Sequence, residues 1–352
     1  MKELEYPFDA AYIIKKRKSL KKALLADGTS RIRKKIAVLG GSTTSDIVKT
    51  LELFLLDAGI EPEFYESEYA QYFQDAMFPD ETLLSFKPDI VFIHTTNRNV
   101  TDWPEMTDTT EQIDEKLHTE LNRFTAMWKS IAEKFHCPII QNNFEMPLYR
   151  LLGSRDAWDI HGHTNFLTRL NEAFYAYARE NESFYIHDLN FVSADYGLKE
   201  WSNPLFWNMY KYAMCFEAIP SFAFSVSHII KSIFGKNKKA LALDLDNTLW
   251  GGVVGDDGVD GIEIGQETGV SQSYYEFQTY VKQLKSLGIV LTVCSKNDHE
   301  NAIAGLNHPE GALRPDDFVI IKANWENKDR NIAETAAELN ILPDSIVFAD
   351  DN

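Results

Sequence analysis

The 352-residue sequence predicts an α/β fold with two domains, each a mainly parallel sheet flanked by helices. Three observations lead to this prediction. Short apolar runs rich in β-forming residues alternate with stretches that suit helices, which is typical of parallel sheets. The chain is long enough for about two hydrophobic cores. Gly235 and the polar or basic residues after it, in SIFGKNKKALALD, divide the apolar runs into two sets, so we place a domain boundary at about residue 236.

The first domain is expected to span residues 35–236, after a helical segment over residues 1–34. Its first strand is predicted in KKIAVLGGSTTSDI, which continues through a Gly-Gly-Ser turn into the start of a helix. Three more strands are predicted in KPDIVFIHTTNRN, CPIIQNNF and ESFYIHDLN, each after a stretch that suits a helix. We therefore expect a parallel sheet in this domain.

The second domain is expected to span residues 237–352. It offers four strand candidates, in KALALDLD, GIVLTVCSKND, DFVIIKAN and SIVFADDN. Helices are predicted in SYYEFQTYVKQLKSLG and NIAETAAELNI. The first of these stops at Gly288 and Pro343 follows the second, as the usual helix-stop signals require.

Charge and cysteine content exclude several classes of function. Asp and Glu number 53 against 35 Lys and Arg, giving a formal charge of −18, and no block of the chain is basic enough to neutralise a phosphate backbone, so nucleic-acid binding is disfavoured. Cys137, Cys215 and Cys294 lie far apart without CxxC spacing, which predicts a reducing, cytoplasmic location. The N-terminus lacks the apolar core of a signal peptide and no run of 18 apolar residues follows, so no membrane segment is expected.

Carboxylates at the predicted strand ends of the second domain point to a metal. Asp244 and Asp246 lie one residue apart where the first strand ends, and ligand groups gather at this edge of a parallel sheet. Ionised carboxylates in apolar surroundings cost several kcal/mol unless a cation compensates them. A hard cation with octahedral oxygen ligation, Mg²⁺, fits best. The predicted metal ligands are Asp244, Asp246, Asp350 and Asp351.

The same strand ends carry the groups that phosphoryl transfer needs. Asp244 would attack phosphorus to give an aspartyl phosphate. Asp246 would protonate the leaving oxygen and later deprotonate water. Ser295, at another strand end, and Lys328, at a helix start, would donate hydrogen bonds to the phosphoryl oxygens. The predicted substrate-binding residues are Thr248, Ser295, Asn297 and Lys328.

Four segments, DLDNTLWGG, VCSKND, NWENKDRNI and VFADDN, together resemble the motifs of the haloacid dehalogenase (HAD) superfamily, in the same order: DxDxT, a strand-ending Ser or Thr, a Lys and a paired acidic motif. DLDNTLWGGVVGDDG with NWENK looks more narrowly like the FkbH-like branch, in which such a domain follows an α/β domain. The resemblance implies a Mg²⁺-dependent phosphatase. It favours Lys328 over Lys322 as the motif lysine, because Lys328 begins a helix in the Trp-Glu-Asn-Lys context of the family.

The spacing of the motifs predicts an open site. Only a glycine-rich flap, WGGVVGDDGVDG, and one helix separate Asp244 from Ser295, and the segment from Ser295 to Lys328 is too short for a cap domain. We therefore expect a capless, HAD-like Rossmannoid fold whose site accepts a phosphorylated small molecule or a bulky, carrier-bound substrate. The sequence ends at Asn352, directly after the paired acids, whereas HAD sheets normally continue, so the domain is expected to be truncated.

Two alternatives to phosphatase activity stay open. Some FkbH-like proteins, which this chain resembles, transfer a glyceryl unit from a phosphorylated glycerate to an acyl carrier protein and hold the acyl group on a cysteine. Cys294 lies beside Ser295 and is the candidate acyl thiol, although it could equally be a small apolar residue that completes a buried strand. In the second alternative, the chain is a binding module with a vestigial site.

The first domain carries weaker signals of a second site. LGGSTTSD places Ser42 on a glycine turn and TTNRN places Asn97 after a strand, which resembles SGNH/GDSL hydrolases, where Ser is the nucleophile and Asn helps to form the oxyanion hole. Those enzymes need a late Asp-x-x-His, but HDLNFVSAD has Asp188 followed by Phe191 in the place of the histidine. The remaining candidate bases are His161 and His187. Otherwise the domain is a degenerate one that binds a partner, a carrier or the substrate tail.

Overall fold

The computed structural model describes residues 1–351 and divides into two compact units, Met1–Gly235 and Lys236–Asn352. Each unit contains a parallel β-sheet flanked by helices, which confirms the predicted α/β class. Within residues 1–351, no helix has both the length and the apolar character that crossing a bilayer requires.

The sheet of the first unit has five parallel strands in the order β2-β1-β3-β4-β5. Side chains alternate between its two faces, so Ile36 and Val38 of the first strand enter one core while Ala37 and Leu39 enter the other. The strands are β1 (Ile32–Gly40), β2 (Ile60–Glu66), β3 (Ile90–His94), β4 (Ile139–Asn142) and β5 (Phe184–His187).

Strand β2 is missing from the sequence prediction. Its sequence, IEPEFYE, contains Pro62 and three glutamates, residue types that are depleted in strands. It nevertheless forms an edge strand that pairs only with β1, along the register Ile32 to Ile60, and a proline without an amide proton is tolerated at an edge.

Ten α-helices flank this sheet. Helices α1, α2 and α10 share a core that includes Ile13, Leu51 and Phe222, and α5 and α6 share a second core that includes Trp128 and Phe174. The helices are α1 (Ala10–Ala26), α2 (Ser45–Asp57), α3 (Tyr72–Met77), α4 (Glu81–Phe86), α5 (Thr110–Phe135), α6 (His163–Glu180), α7 (Leu189–Tyr196), α8 (Leu198–Trp201), α9 (Pro204–Tyr210) and α10 (Ile219–Ile233).

The sheet of the second unit has four parallel strands in the order β8-β7-β6-β9, and all four lie in predicted segments. The strands are β6 (Ala240–Leu243), β7 (Val290–Ser295), β8 (Ile320–Ala323) and β9 (Ile346–Ala349). The helices are α11 (Val254–Asp257), α12 (Gly269–Ser286), α13 (His299–Leu306) and α14 (Lys328–Glu338). Because β6 lies between β7 and β9, the residues that follow it lie between the ends of two neighbouring strands.

Candidate active site

Asp244 is the first residue after β6 and lies at the carboxyl edge of the second sheet. Its backbone N–H donates to the carbonyl oxygen of Ala349 over 3.0 Å, which ties it to the end of β9. The N–H of Leu245 donates to Asp244 Oδ1 over 2.8 Å. The side chain is buried, so its charge needs a local partner.

Lys328 supplies that partner. It is the first residue of α14, and its Nζ donates to Asp244 Oδ2 over 2.7 Å and to Asp350 Oδ2 over 2.9 Å. Burial alone would lower the pKa of Lys328, but the hydrogen bonds and the two negative charges outweigh it and raise the pKa. Burial would likewise raise the pKa of Asp350, yet the hydrogen bond from Lys328 keeps it below its usual value. Lys328 therefore remains a cation between two carboxylates.

Lys322, the other lysine considered for this role, lies elsewhere. Its Nζ pairs with Glu334 and Glu338 of α14, over 3.3 Å and 2.7 Å. The structure thus brings Lys328, and not Lys322, to the carboxylates at the edge of the sheet.

Three carboxylates at this edge could hold a metal ion. Asp244, Asp350 and Asp351 each offer an oxygen, and these oxygens lie within 4.8 Å of one another. Asp350 Oδ1 is buried and has no hydrogen-bond partner, which is costly unless a ligand completes it. Carboxylate oxygens at this spacing fit a hard divalent cation.

Asp246 faces a different set of groups. Its Oδ1 accepts hydrogen bonds from Trp250 Nε1 over 2.9 Å and from the Val254 N–H over 3.0 Å, and its Oδ2 accepts one from Asn297 Nδ2 over 2.9 Å. Burial, with a contribution from the charge of Asp244, raises the pKa of Asp246. A raised pKa suits a proton donor. The side chain is not among the three grouped carboxylates, so its role as a metal ligand stays a prediction.

Two residues with hydroxyl groups predicted to bind substrate follow β6 or end its neighbouring strand β7. Ser295 is buried at the end of β7, and its carbonyl oxygen accepts a hydrogen bond from the Asn324 N–H over 3.1 Å. Thr248 follows Asp246 by two residues, and its Oγ1 is buried without a hydrogen-bond partner. Thr248 also lines an open groove of about 350 Å³ together with Asp350 and Asp351.

The thiol of Cys294 is buried rather than presented to the site. The residue is 1% exposed, and its Sγ donates to the carbonyl oxygen of Lys328 over 3.5 Å. Burial raises the pKa of Cys294 to about 11, so the thiol stays protonated. It packs with Ala242 and Ala336 in a small apolar core. This arrangement matches the structural interpretation of Cys294 and gives the acyl-thiol role no support.

In the candidate second site of the first unit, no base within residues 1–351 is hydrogen-bonded to Ser42. Ser42 is 1% exposed, and its Oγ has no hydrogen-bond partner among the described residues. Asn97 Nδ2 donates to the carbonyl oxygens of Glu145 and Met146 over 3.3 Å and 3.4 Å, so its amide is spent on the backbone. Ser42 therefore has no hydrogen-bonded base in the described part of the chain, and the Asn97 amide donates to backbone carbonyls instead of to an open oxyanion hole.

The residues considered as catalytic partners of Ser42 form hydrogen bonds with other groups. Buried His187 contacts Asn142 Oδ1 through Nδ1 over 2.8 Å and Ser225 Oγ through Nε2 over 3.1 Å. Asn142 in turn contacts Nδ1 of buried His94 over 2.8 Å. The other two partners serve local structure: Asp188 accepts from the Phe191 N–H over 3.1 Å at the start of α7, and His161 Nδ1 contacts Asp159 over 2.9 Å.

The first unit matches a known family. Residues 35–231, more than half of the chain, match the family described as FkbH, N-terminal domain. The chain belongs to this FkbH N-terminal domain family. This result confirms the FkbH part of the predicted resemblance.

A solved structure resembles nearly the whole FkbH-family chain. It is the N-terminal part of a Bacteroides fragilis protein that contains a phosphatase domain and was crystallised in complex with Mg. The two sequences are 31% identical, the match covers 96% of this chain and 88% of the other, and the TM-score is 0.82. A GDSL-like lipase from Bacteroides thetaiotaomicron is 13% identical, with 62% and 99% of the two chains covered, but its TM-score of 0.34 is too low to bear on fold or activity. No curated protein matches in sequence.

Trp250 is a site residue that the sequence analysis of this FkbH-family chain did not single out. Its indole N–H donates to Asp246, and its ring fills the space left by Gly305 of α13. A Cβ atom at residue 305 would lie 2.7 Å from Cη2 of Trp250, closer than such atoms approach. The sequence shows a tryptophan four residues after Asp246, but only the packing shows that its N–H points to that carboxylate.

Gly305→Ala is therefore expected to displace the Trp250 ring. We expect the free energy of unfolding of the second unit to fall by about 1–3 kcal/mol, because overpacking outweighs the better helix propensity of alanine. Urea titration at equilibrium measures this change. Gly269→Ala at the start of α12 is the matched control, since a Cβ there meets nothing within 4 Å. Equal stability of the two variants would contradict the prediction.

Proposed function

We propose that the second unit is a Mg²⁺-dependent phosphatase of the HAD type, with a capless Rossmannoid fold. The proposal rests on the group of three carboxylates, Asp244, Asp350 and Asp351. Lys328 donates hydrogen bonds to the first two of them. The phosphatase domain and Mg of the similar Bacteroides fragilis structure support the same activity.

The three carboxylates would hold the ion in this proposal. Asp350 Oδ1, buried and otherwise without a partner, is the oxygen that gains most from a cation. When bound, Mg²⁺ would neutralise charge on the phosphoryl oxygens and thereby reduce their repulsion of the carboxylates.

Asp244 acts as the nucleophile in the proposed reaction. One of its carboxylate oxygens forms a bond to phosphorus while the bond from phosphorus to the alcohol oxygen breaks, which gives an aspartyl phosphate. Lys328 and the Leu245 N–H orient the carboxylate before the attack, through contacts of 2.7 Å and 2.8 Å.

Asp246 transfers the protons in the proposed reaction. Burial raises its pKa, which favours the protonated form that would donate to the leaving alcohol oxygen. It then accepts a proton from the water that attacks phosphorus, which releases inorganic phosphate and restores Asp244. Trp250 and Asn297, each at 2.9 Å, hold the Asp246 carboxyl in position for both transfers.

The proposed substrate is a phosphomonoester, either a small molecule or a group borne by a carrier. Between β6 and β7 the chain forms α11, one short 3₁₀ turn and α12, and the proposed site consequently lies open to a large substrate. Transfer of a glyceryl unit to an acyl carrier protein needs an accessible thiolate, which buried Cys294 does not offer. An SGNH-like role for Ser42 and Asn97 stays a prediction.

Asp244→Asn tests the proposed function. The change keeps the shape of the side chain and removes the attacking carboxylate, so phosphate release is expected to fall by on the order of 10⁴-fold. Release from a panel of phosphomonoesters and phosphoglycerates is measured with and without Mg²⁺. Asp260→Asn, an exposed aspartate of the same unit, is the matched control. Undiminished turnover by Asp244→Asn would overturn the mechanism, and no turnover by the wild-type chain would favour a binding module.

A further inference from the structure

Trp325 is an exposed aromatic residue in the loop between β8 and α14. The residue is 71% exposed, and it precedes Lys328 by three positions. A single exposed apolar side chain is ordinary on protein surfaces. Two further features distinguish Trp325. Hydrogen bonds fix the loop that carries it, and another hydrogen bond holds its indole ring.

The backbone on either side of Trp325 is fixed by hydrogen bonds. The Asn324 N–H donates to the carbonyl oxygen of Ser295 over 3.1 Å, which ties the loop to the end of β7. Asn324 Oδ1 accepts from the Glu326 N–H over 3.0 Å and from Asn331 Nδ2 over 2.8 Å. The loop therefore holds the tryptophan outward instead of letting it fold onto an apolar surface.

The indole itself is tethered to the segment after β7 that also contacts the proposed proton donor. Trp325 Nε1 donates to Asp298 Oδ1 over 2.9 Å. Asp298 follows Asn297, whose Nδ2 donates to Asp246 Oδ2 over 2.9 Å. Two hydrogen bonds, joined by the peptide bond between Asn297 and Asp298, thus connect the exposed ring to the carboxyl group that would protonate the leaving oxygen. In the proposed mechanism the leaving group lies beside Asp246, because Asp246 protonates its oxygen.

We infer that Trp325 is a specificity-determining residue that packs against the leaving group of the phosphomonoester and favours leaving groups with a flat or apolar face. The inference rests on the proposed phosphatase function and adds a substrate class to it. A tethered ring loses little conformational freedom on binding, and its face offers a large apolar contact. Asp298 is the positioning residue that fixes the plane of the ring.

The test compares two substrates that differ in the leaving group. 4-Methylumbelliferyl phosphate has a flat aromatic leaving group, and glycerol 3-phosphate has a small polar one. Trp325→Ala is expected to lower kcat/KM about 10-fold for the aryl ester and less than about 2-fold for glycerol 3-phosphate, because only the first gains the stacking contact. Taking each variant relative to wild type cancels the intrinsic reactivity of the two esters.

Three further variants complete the test. Trp325→Phe keeps a flat face and should recover most of the aryl preference, whereas Asp298→Ala should lose part of it. Trp158→Ala, which removes a 68% exposed tryptophan from the first unit, should change neither value. Equal losses for both substrates, or no loss for either, would overturn the inference alone. Failure of the wild-type chain to release phosphate in a Mg²⁺-dependent way would overturn the proposed function and the inference with it.

Discussion

Lys328→Met is expected to lower Mg²⁺-dependent phosphate release by on the order of 10²- to 10³-fold, the typical cost of losing one preorganised donor. Methionine keeps the length of the side chain but removes its charge and both donated hydrogen bonds, to Asp244 and Asp350. The carboxylates then lose their fixed cation, and Asp244 loses the contact that orients it. Steady-state rates at saturating Mg²⁺ measure the effect.

Lys322→Met is the matched control for this experiment. Both lysines precede or begin α14, and both pair with two carboxylates, but Lys322 pairs with Glu334 and Glu338 on the helix surface. We expect Lys322→Met to keep activity within about 2-fold of wild type, since surface ion pairs contribute little. If Lys322→Met lost more activity than Lys328→Met, Lys322 and not Lys328 would be the lysine that the proposed reaction needs.

Acidification is expected to destabilise the first unit through two buried histidines. His94 and His187 are both 0% exposed, and burial lowers the pKa of each from 6.5 to about 3. The unfolded chain therefore binds protons near pH 6.5 that the folded unit does not accept until about pH 3. Stability from these groups is full above pH 6.5 and is lost as the pH falls toward 3. Between pH 7 and pH 5 the loss amounts to up to about 4 kcal/mol for the pair.

His187→Gln isolates this effect from other titrations. Glu145, whose pKa burial raises to about 8, changes stability with pH in the opposite direction, so the comparison has to be made between variants. We expect the loss between pH 7 and pH 5 to shrink by about 2 kcal/mol in His187→Gln. Hydrogen-exchange protection of the β3, β4 and β5 amides, compared at pH 7 and pH 5, measures this loss in the free energy of unfolding. His118→Gln, at an exposed position of α5, is the control. If the free energy of unfolding of His187→Gln depends on pH as the wild type does, the folded unit does not lower the pKa of this imidazole.

The grouping of Asp244, Lys328 and Asp350 could be predicted from the sequence, because the topology of a parallel sheet decides where these residues lie. Carboxyl ends of parallel strands share an edge, so side chains that follow β6 and β9 have to meet there. The lysine reaches the same edge because it begins the helix that leads into β9. The position of each residue relative to a strand end was readable from the hydrophobic runs.

The environment of Asp246 could not be predicted in the same way. Its side chain turns from the other carboxylates because Trp250 and Asn297 donate to it, and Trp250 reaches it only because Gly305 leaves room for the ring. Such contacts depend on packing between elements distant in sequence. Strand β2 was missed for a related reason, since its pairing with β1 overrides an unfavourable local composition.

The Asp244 N–H donates to the carbonyl oxygen of Ala349, so the proposed site is completed only late in synthesis, when β9 has been made. Asp244 and Asp350 lie far apart in sequence yet share one cation, so the site consists of long-range contacts. At a translation rate of about 5–20 residues per second, Asp350 emerges roughly ten seconds after Asp244. During that interval the proposed nucleophile has neither its strand neighbour nor the other proposed metal ligands. The proposed activity should therefore arise in one step when β9 docks, and a nascent chain that stops before this strand should be inert rather than partly active.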